Sequence, residues 1–195
     1  MQAKYRDKRQ ELFRRYFEIS PNYSDYLERS PLNYQSKWRA TEGAVSLTPQ
    51  QTELVASFKR RMPVLVMSGV WCGDCSRQGP MLHAIELAST AIEVRWVESR
   101  ENPELQEELR INGAEKVPVV VVMNEDFQEV QRFGDRHLSV YRRKAKSELG
   151  PACDTGLIPP SGAELSSELQ EWIDFFERTQ LMLRLAPAYR ERYND

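Results

Sequence analysis

The chain predicts an α/β fold, and three observations predict it. Val64-Leu65-Val66-Met67-Ser68 is an apolar, β-branched run that reads as a buried strand. It breaks at Gly69, and helical spacing follows, with Met81, Leu82, Ile85 and Ala88 on one face. Farther on, Val119 to Met123, a turn at Asn124-Glu125-Asp126 and Phe127 to Phe133 read as a β-hairpin.

The other elements follow in order. Residues 4–19 predict an amphipathic helix with Leu12, Phe13, Tyr16, Phe17 and Ile19 as its stripe, ended by Ser20-Pro21. Ser24 to Arg29 predicts a short second helix, and residues 30–47, which hold Trp38, read as a wrapping loop. Thr48-Pro49-Gln50-Gln51 is a helix start, with a threonine cap, proline at the first position and glutamine three residues after the cap. Leu54, Val55, Phe58 and Met62 give that helix its face, and Pro63 ends it. Glu93 to Glu98 alternates like a strand. Asn102-Pro103 opens a short helix carrying Leu105 and Leu109, stopped by Asn112-Gly113. Asp135 caps a helix from Arg136 to Leu149 with Leu138, Tyr141 and Ala145 on one face. Gly150 to Pro160 is a loop by composition. Ser161 and Glu164 form a capping box for a long helix with the stripe Leu165, Leu169, Trp172, Ile173 and Phe176. The middle of the chain therefore runs β-α-β-α-β-β-α.

Length and charge narrow the function classes. At 195 residues the chain fits one domain with embellishments. A net charge of −2 gives no case for nucleic-acid binding. No run approaches about 18 apolar residues, so no membrane span is expected. The N-terminus is basic but no apolar core of a signal peptide follows it. Three cysteines are too few for a disulfide scaffold, and the cytoplasm is the expected compartment.

Two of those cysteines carry the chemistry. Cys72 and Cys75 stand two residues apart where the central strand ends and the next helix begins. A helix N-terminus, with its partial positive charge and unpaired N–H groups, favours a thiolate. One turn of separation allows a small disulfide. Cys72 is the exposed nucleophile on this reading, and Cys75 the resolving thiol. The alternative is half of a structural zinc site, but zinc takes four ligands and no second CxxC or His pair is present.

Trp71-Cys72-Gly73-Asp74-Cys75 after a strand resembles the Trp-Cys-Gly-Pro-Cys motif of the thioredoxin family, with Asp74 in place of the proline. Pro80 matches the family's kinking helix proline. Val117-Pro118 before an apolar run is similar to its cis-proline and following strand, and Gly134 has family spacing. The similarity runs from about Thr48 to Leu149. It implies a thioredoxin-like fold, a mixed central sheet flanked by helices, with extra N-terminal and C-terminal helices. The usual first strand is not evident before Thr48. The expected divisions are an N-terminal helical extension over 1–47, the thioredoxin-like domain over 48–149, and a loop and C-terminal helix over 150–195.

The resemblance implies a thiol–disulfide oxidoreductase whose Cys72–Cys75 pair reduces protein or small-molecule disulfides. Such chemistry needs no metal or organic cofactor, but turnover needs an external electron donor, a reductase or a low-molecular-weight thiol. Trp71, Gly73, Asp74, Val117 and Pro118 are the expected substrate-binding residues. Trp71 supplies an apolar rim rather than core filling, and Gly73 leaves room for an incoming disulfide. Asp74 has two readings. Its charge raises the thiol pKa and makes the centre more reducing, or it points to water and is screened. A cis Val117–Pro118 bond, rather than an ordinary turn proline, would present the Val117 backbone to an extended peptide.

Val66 departs from the family, which carries a buried aspartate there. Either another group serves, such as Glu98 or a water, or Cys75 is activated more slowly. That departure and the terminal additions motivate a second reading, a non-catalytic redox-sensing or partner-binding module. Metal binding at Cys72, Cys75 and Cys153 is a third. Cys153 otherwise reads as an incidental free thiol. His83 and His137 are each solitary, and Arg142 to Lys146 reads as a solvated basic face.

Overall fold

A computed structural model describes residues 6–148 and 161–193. Among them, four strands form one sheet. They are β1 (Met62–Ser68), β2 (Ile92–Glu98), β3 (Val119–Met123) and β4 (Glu129–Gly134). Their order is β2-β1-β3-β4, with β1 parallel to β2 and antiparallel to β3, and β3 antiparallel to β4. The sheet is mixed because the β1–β2 connection crosses over through a helix, whereas β3 and β4 share a short turn. In that turn the Asn124 side chain accepts from the N–H groups of Asp126 and Gln128, and Phe127 takes φ 63°, so pairing starts at Glu129 rather than Phe127.

Alternate residues of the strands serve two cores. On one face Val64, Val66, Val94, Trp96, Val120 and Val122 meet α2 (Tyr23–Glu28), α3 (Leu32–Glu42), α5 (Gly73–Leu87) and α8 (Gly162–Leu185). On the other, Leu65, Met67, Val97, Val119, Val121 and Met123 meet α1 (Gln10–Ile19) and α6 (Pro103–Glu108). Helix α1 buries Phe13, Tyr16 and Phe17, at i, i+3 and i+4, and leaves Ile19 out in solvent. Helix α8 buries the whole expected stripe behind its capping box. α8 also ties to α5 through Arg77, which donates to the buried Glu168 at 2.6 and 2.5 Å. The last helix, α9, spans Pro187–Tyr193. No helix among the described residues is long and apolar enough to cross a membrane.

Four expectations are corrected. Residues 30–47 contain a helix rather than only a wrapping loop. It buries Trp38 alone, so no amphipathic stripe marked it. Helix α4 (Pro49–Ala56) has the predicted capping box but ends well before Pro63. The Gln180 side chain takes the N–H groups of Lys59 and Arg60 at 3.1 and 2.7 Å and donates to the Arg60 carbonyl at 3.0 Å. Those backbone groups need no further helix turn, and Met62 opens β1. Asn112 and Gly113 do not stop α6, which ends at Glu108. They form a tight turn at φ 51° and 73° between the bridged Ile111 and Ala114. Finally, α7 is Leu138–Glu148 and Asp135 does not cap it. Glu171 of α8 accepts from the Leu138 and Ser139 N–H groups at 3.0 and 3.3 Å. Leu138, Tyr141 and Ala145 stay exposed while Val140 is buried.

Candidate active site

The end of β1 delivers the chain over Gly69 into α5, and Cys72 is the N-cap residue of that helix. The Gly69 carbonyl accepts from the Cys72 N–H at 2.9 Å, and the Cys72 carbonyl accepts from Ser76 at 3.0 Å, which fixes the turn. A Cβ on Gly69 would lie 2.7 Å from the Trp71 indole, so a larger residue there would have to displace the ring. Both cysteines are free thiols. Cys72 is half-buried and Cys75 is 1% exposed.

Their environments drive the two thiols apart. The Cys75 thiol donates to Cys72, which does most to lower the Cys72 pKa from 9.0 to about 7. Burial opposes that shift, the Cys75 and Asp74 backbone N–H groups reinforce it, and the Asp74 charge opposes it. Burial pushes Cys75 well above the ordinary thiol value, helped by its bond to Cys72 and by the Cys72 charge. The Gly69 N–H, 3.5 Å from Cys75 Sγ, works the other way.

The expected binding residues surround this pair. Val117 and Pro118 are joined by a cis peptide bond. The Val117 carbonyl faces Cys72 Sγ at 3.7 Å. Pro118 is buried and Val117 is half-buried. Gly73 is exposed, with nothing within 4 Å of the place its Cβ would occupy. Trp71 is half-buried and less apolar than a bare rim. Its indole N–H donates to Glu98 at 3.3 Å, and the Arg100 guanidinium lies 4.0 Å from the ring centre.

The Asp74 charge acts on Cys72 in the direction of the first sequence reading, toward a higher pKa. It neither faces the thiols unopposed nor points freely to water, because Arg136 Nη2 pairs with it at 2.6 Å. Arg136 also reaches Asp135 at 3.3 Å, and Lys116, beside Val117, reaches Asp135 at 3.2 Å. Tyr141 donates to the same carboxylate. This network joins the start of α5 and α7 to the loops that hold Lys116 and Asp135-Arg136. Nothing in the local sequence marks Arg136 as part of the site, since it stands 62 positions beyond Asp74.

Val66 is fully buried among apolar side chains. Ser68, one pleat farther along the same face of β1, is 0% exposed, and Glu98 is its register partner on β2. Glu98 accepts from Tyr26 Oη at 3.0 Å and from the Val70 N–H at 3.1 Å. His83 stacks on Tyr23 at 4.1 Å, away from the thiols, and His137 is buried against Phe133 and Trp172. Arg143 of the basic run pairs with Glu164 and Glu168 at 3.0 and 3.3 Å. Among the described residues, no cluster of three or more His, Cys, Asp or Glu is placed to hold a metal ion. Cys153 lies outside the described residues.

Comparison with known proteins agrees with this architecture. A protein disulfide-isomerase-like protein from Emiliania huxleyi is 25% identical over 152 residues, which cover 73% of this chain and 66% of the relative. The chain thus spans about two thirds of that relative's length. A crystal structure of a protein of unknown function from Pseudomonas aeruginosa superposes with a TM-score of 0.68 at 18% identity. The match covers 86% of this chain and 95% of the other. An HIV epitope scaffold superposes with a TM-score of 0.59 at 20% identity, covering 86% and 92%. The thioredoxin family model matches residues 20–143, well over half of the chain. With a mixed sheet, a strand-to-helix Cys-Gly-Asp-Cys turn and that match, the chain belongs to the thioredoxin family.

Proposed function

We propose that the protein is a thiol–disulfide oxidoreductase that works through Cys72 and Cys75. The observation that carries this is the division of labour between the two thiols. Cys72 is reachable, sits at a helix N-terminus and has its pKa lowered to about 7, which favours the thiolate. Cys75 is sealed beneath it and held protonated. A pair of titratable groups pushed apart in this way assigns nucleophile and resolver. The Cys72 thiolate attacks a substrate disulfide and releases one half as a thiolate. The Cys75 sulfur then displaces the other half and leaves Cys72 and Cys75 joined.

Substrate disulfides, on proteins or on small thiols, meet Cys72 over the open Gly73. The Val117 carbonyl and the Trp71 rim flank them, and Pro118 and Asp74 fix the surrounding loops. The isomerase-like designation of the Emiliania relative supports the reading in kind. Reduction is the proposed direction, in the cytoplasm, with a reductase or low-molecular-weight thiol returning the electrons. Residues 1–47 and 150–195 are proposed as additions to a thioredoxin-like unit over 48–149.

The test is a redox titration of the pair in glutathione and dithiothreitol buffers, with Cys72→Ser as control. A potential at or below about −230 mV supports a reductase. One between about −180 and −120 mV makes the protein an oxidant or isomerase. Absence of a reversible two-electron couple replaces the enzyme reading with a non-catalytic partner-binding module.

A further inference from the structure

Cys75 must lose a proton before it can resolve a mixed disulfide, and at 1% exposure it is all but sealed from the solvent that would take it. The neighbouring β1 face is apolar at Met62, Val64 and Val66 and then turns polar at Ser68. The Ser68 hydroxyl is fully buried and lies within reach of both the Cys75 thiol and the Tyr26 phenol. It makes a well-aligned hydrogen bond to neither. A buried hydroxyl without a settled partner costs stability, so its presence here calls for an explanation. Beyond it the connection is well formed, since Tyr26 Oη donates to Glu98 Oε2 at 3.0 Å.

The far end of this series meets water. Tyr26 and Glu98 both line a cavity of about 370 Å³ on the side of Trp71, whereas Ser68 and Cys75 do not. Exposed Arg29, Arg100 and Glu101 stand at the same cavity, so it communicates with solvent. A volume of that size has room for several waters. The β1–β2 register makes the alignment possible, because Ser68 and Glu98 are direct partners and their side chains leave the sheet on the same face.

We infer that Ser68, Tyr26 and Glu98 form a proton exit that carries the Cys75 proton to the cavity beside Trp71. The inference rests on the dithiol reading above. In the second half of the exchange, Cys75 Sγ gives its proton to Ser68 Oγ. The Ser68 proton passes to Tyr26 Oη, and the Tyr26 proton passes to Glu98 Oε2. The Cys75 thiolate forms the bond to Cys72 Sγ, and the bond between Cys72 and the substrate sulfur breaks. That sulfur leaves with the electron pair and takes a proton from water. The two cysteines are oxidised by two electrons and the substrate disulfide is reduced by two. Glu98 returns its proton to the cavity water, and the hydroxyls turn back.

The one formed bond of the series points the right way, because Tyr26 already donates toward the carboxylate. Burial and the Glu98 charge hold Tyr26 protonated, so it passes a proton on without standing as a phenolate. The groups facing the path are Cys72 and Asp74 at the start of α5, Arg29 just after α2, and Arg100 and Glu101 from the short turn after β2. Ser68, Tyr26 and Glu98 are positioning and proton-relay groups, since none touches the substrate sulfur.

The test separates the two halves of the exchange. Reduced protein in a Cys153→Ser background is mixed with 5,5′-dithiobis(2-nitrobenzoate). The first equivalent of nitrothiobenzoate reports attack by Cys72, and the second reports resolution by Cys75. Glu98→Gln, Tyr26→Phe and Ser68→Ala should each lower the ratio of the second rate to the first by about tenfold or more at pH 7. The ratio should recover as the pH is raised, because hydroxide then takes the proton. A ratio unchanged in all three variants at every pH overturns the relay and leaves the oxidoreductase standing. Equal slowing of both phases also overturns it, by assigning these residues a structural role. If the unsubstituted protein releases no second equivalent, the dithiol reading fails and takes the relay with it. Circular dichroism identifies any variant that does not fold, and the remaining variants then decide.

Discussion

Arg136 Nη2 lies 2.6 Å from Asp74 Oδ2, and this contact pairs the only charged side chain between the two cysteines. The Asp74 charge acts to raise the Cys72 pKa, against the hydrogen bonds that bring it to about 7. Removing the guanidinium would unmask that charge. Arg136→Met should therefore raise the Cys72 pKa and slow its alkylation by iodoacetamide about threefold at pH 7. Asp74→Asn in the same background should reverse the effect. The pH profile of the alkylation rate reads both, and an unchanged profile in Arg136→Met would remove the electrostatic account of this pair.

A second expectation concerns acid. His137 is wholly buried, and its pKa is lowered from 6.5 to about 4, by burial first and by Arg77, against the Glu171 carboxylate that raises it. Between those values the unfolded chain binds a proton that the folded one refuses. Stability is therefore fully present above pH 6.5 and declines as the pH falls toward 4. The decline attributable to His137 is at most about 3 kcal/mol, the free energy that separates the two pKa values. Urea denaturation from pH 7.5 to 4 should show this slope, and His137→Leu should flatten it. An equal slope in the variant would place the acid sensitivity elsewhere.

The third tests how the N-terminal region is docked. A Cβ on Gly79 would lie 2.0 Å from Trp38 Cζ3, so the two helices touch through a missing side chain. Trp38 also donates to the Val70 carbonyl at 3.0 Å, next to the Cys72 turn. Gly79→Ala in a free helix would stabilise by about 1 kcal/mol. Here it should destabilise by about 1–3 kcal/mol through overpacking. In a Trp38→Ala background the same change should become neutral or stabilising. A double-mutant cycle from denaturation midpoints measures the coupling, and additivity would show that the contact carries no energy.

The sequence by itself determined the elements whose signals are local. The β1 run is continuous and β-branched, the Cys72 turn follows it, and the capping boxes at Thr48 and Ser161 need only four residues each. Their side chains bond to backbone within one turn, so nothing distant can override them. The candidate pair and its Val117-Pro118 neighbour were legible for the same reason, through short motifs with fixed spacing. Tertiary structure decided what depends on contacts between distant segments. Helix α3 holds one buried residue, and only the fit of Trp38 against Gly79, Tyr23, Tyr26 and Trp96 gives it a place. Helix α4 stops because Gln180, 120 positions from Arg60, satisfies the backbone beyond it. The partner of Asp74 and the Ser68–Tyr26–Glu98 series are likewise assembled from separate elements. A charge or hydroxyl carries no mark in the sequence of the group it will face after folding, and burial makes that pairing matter.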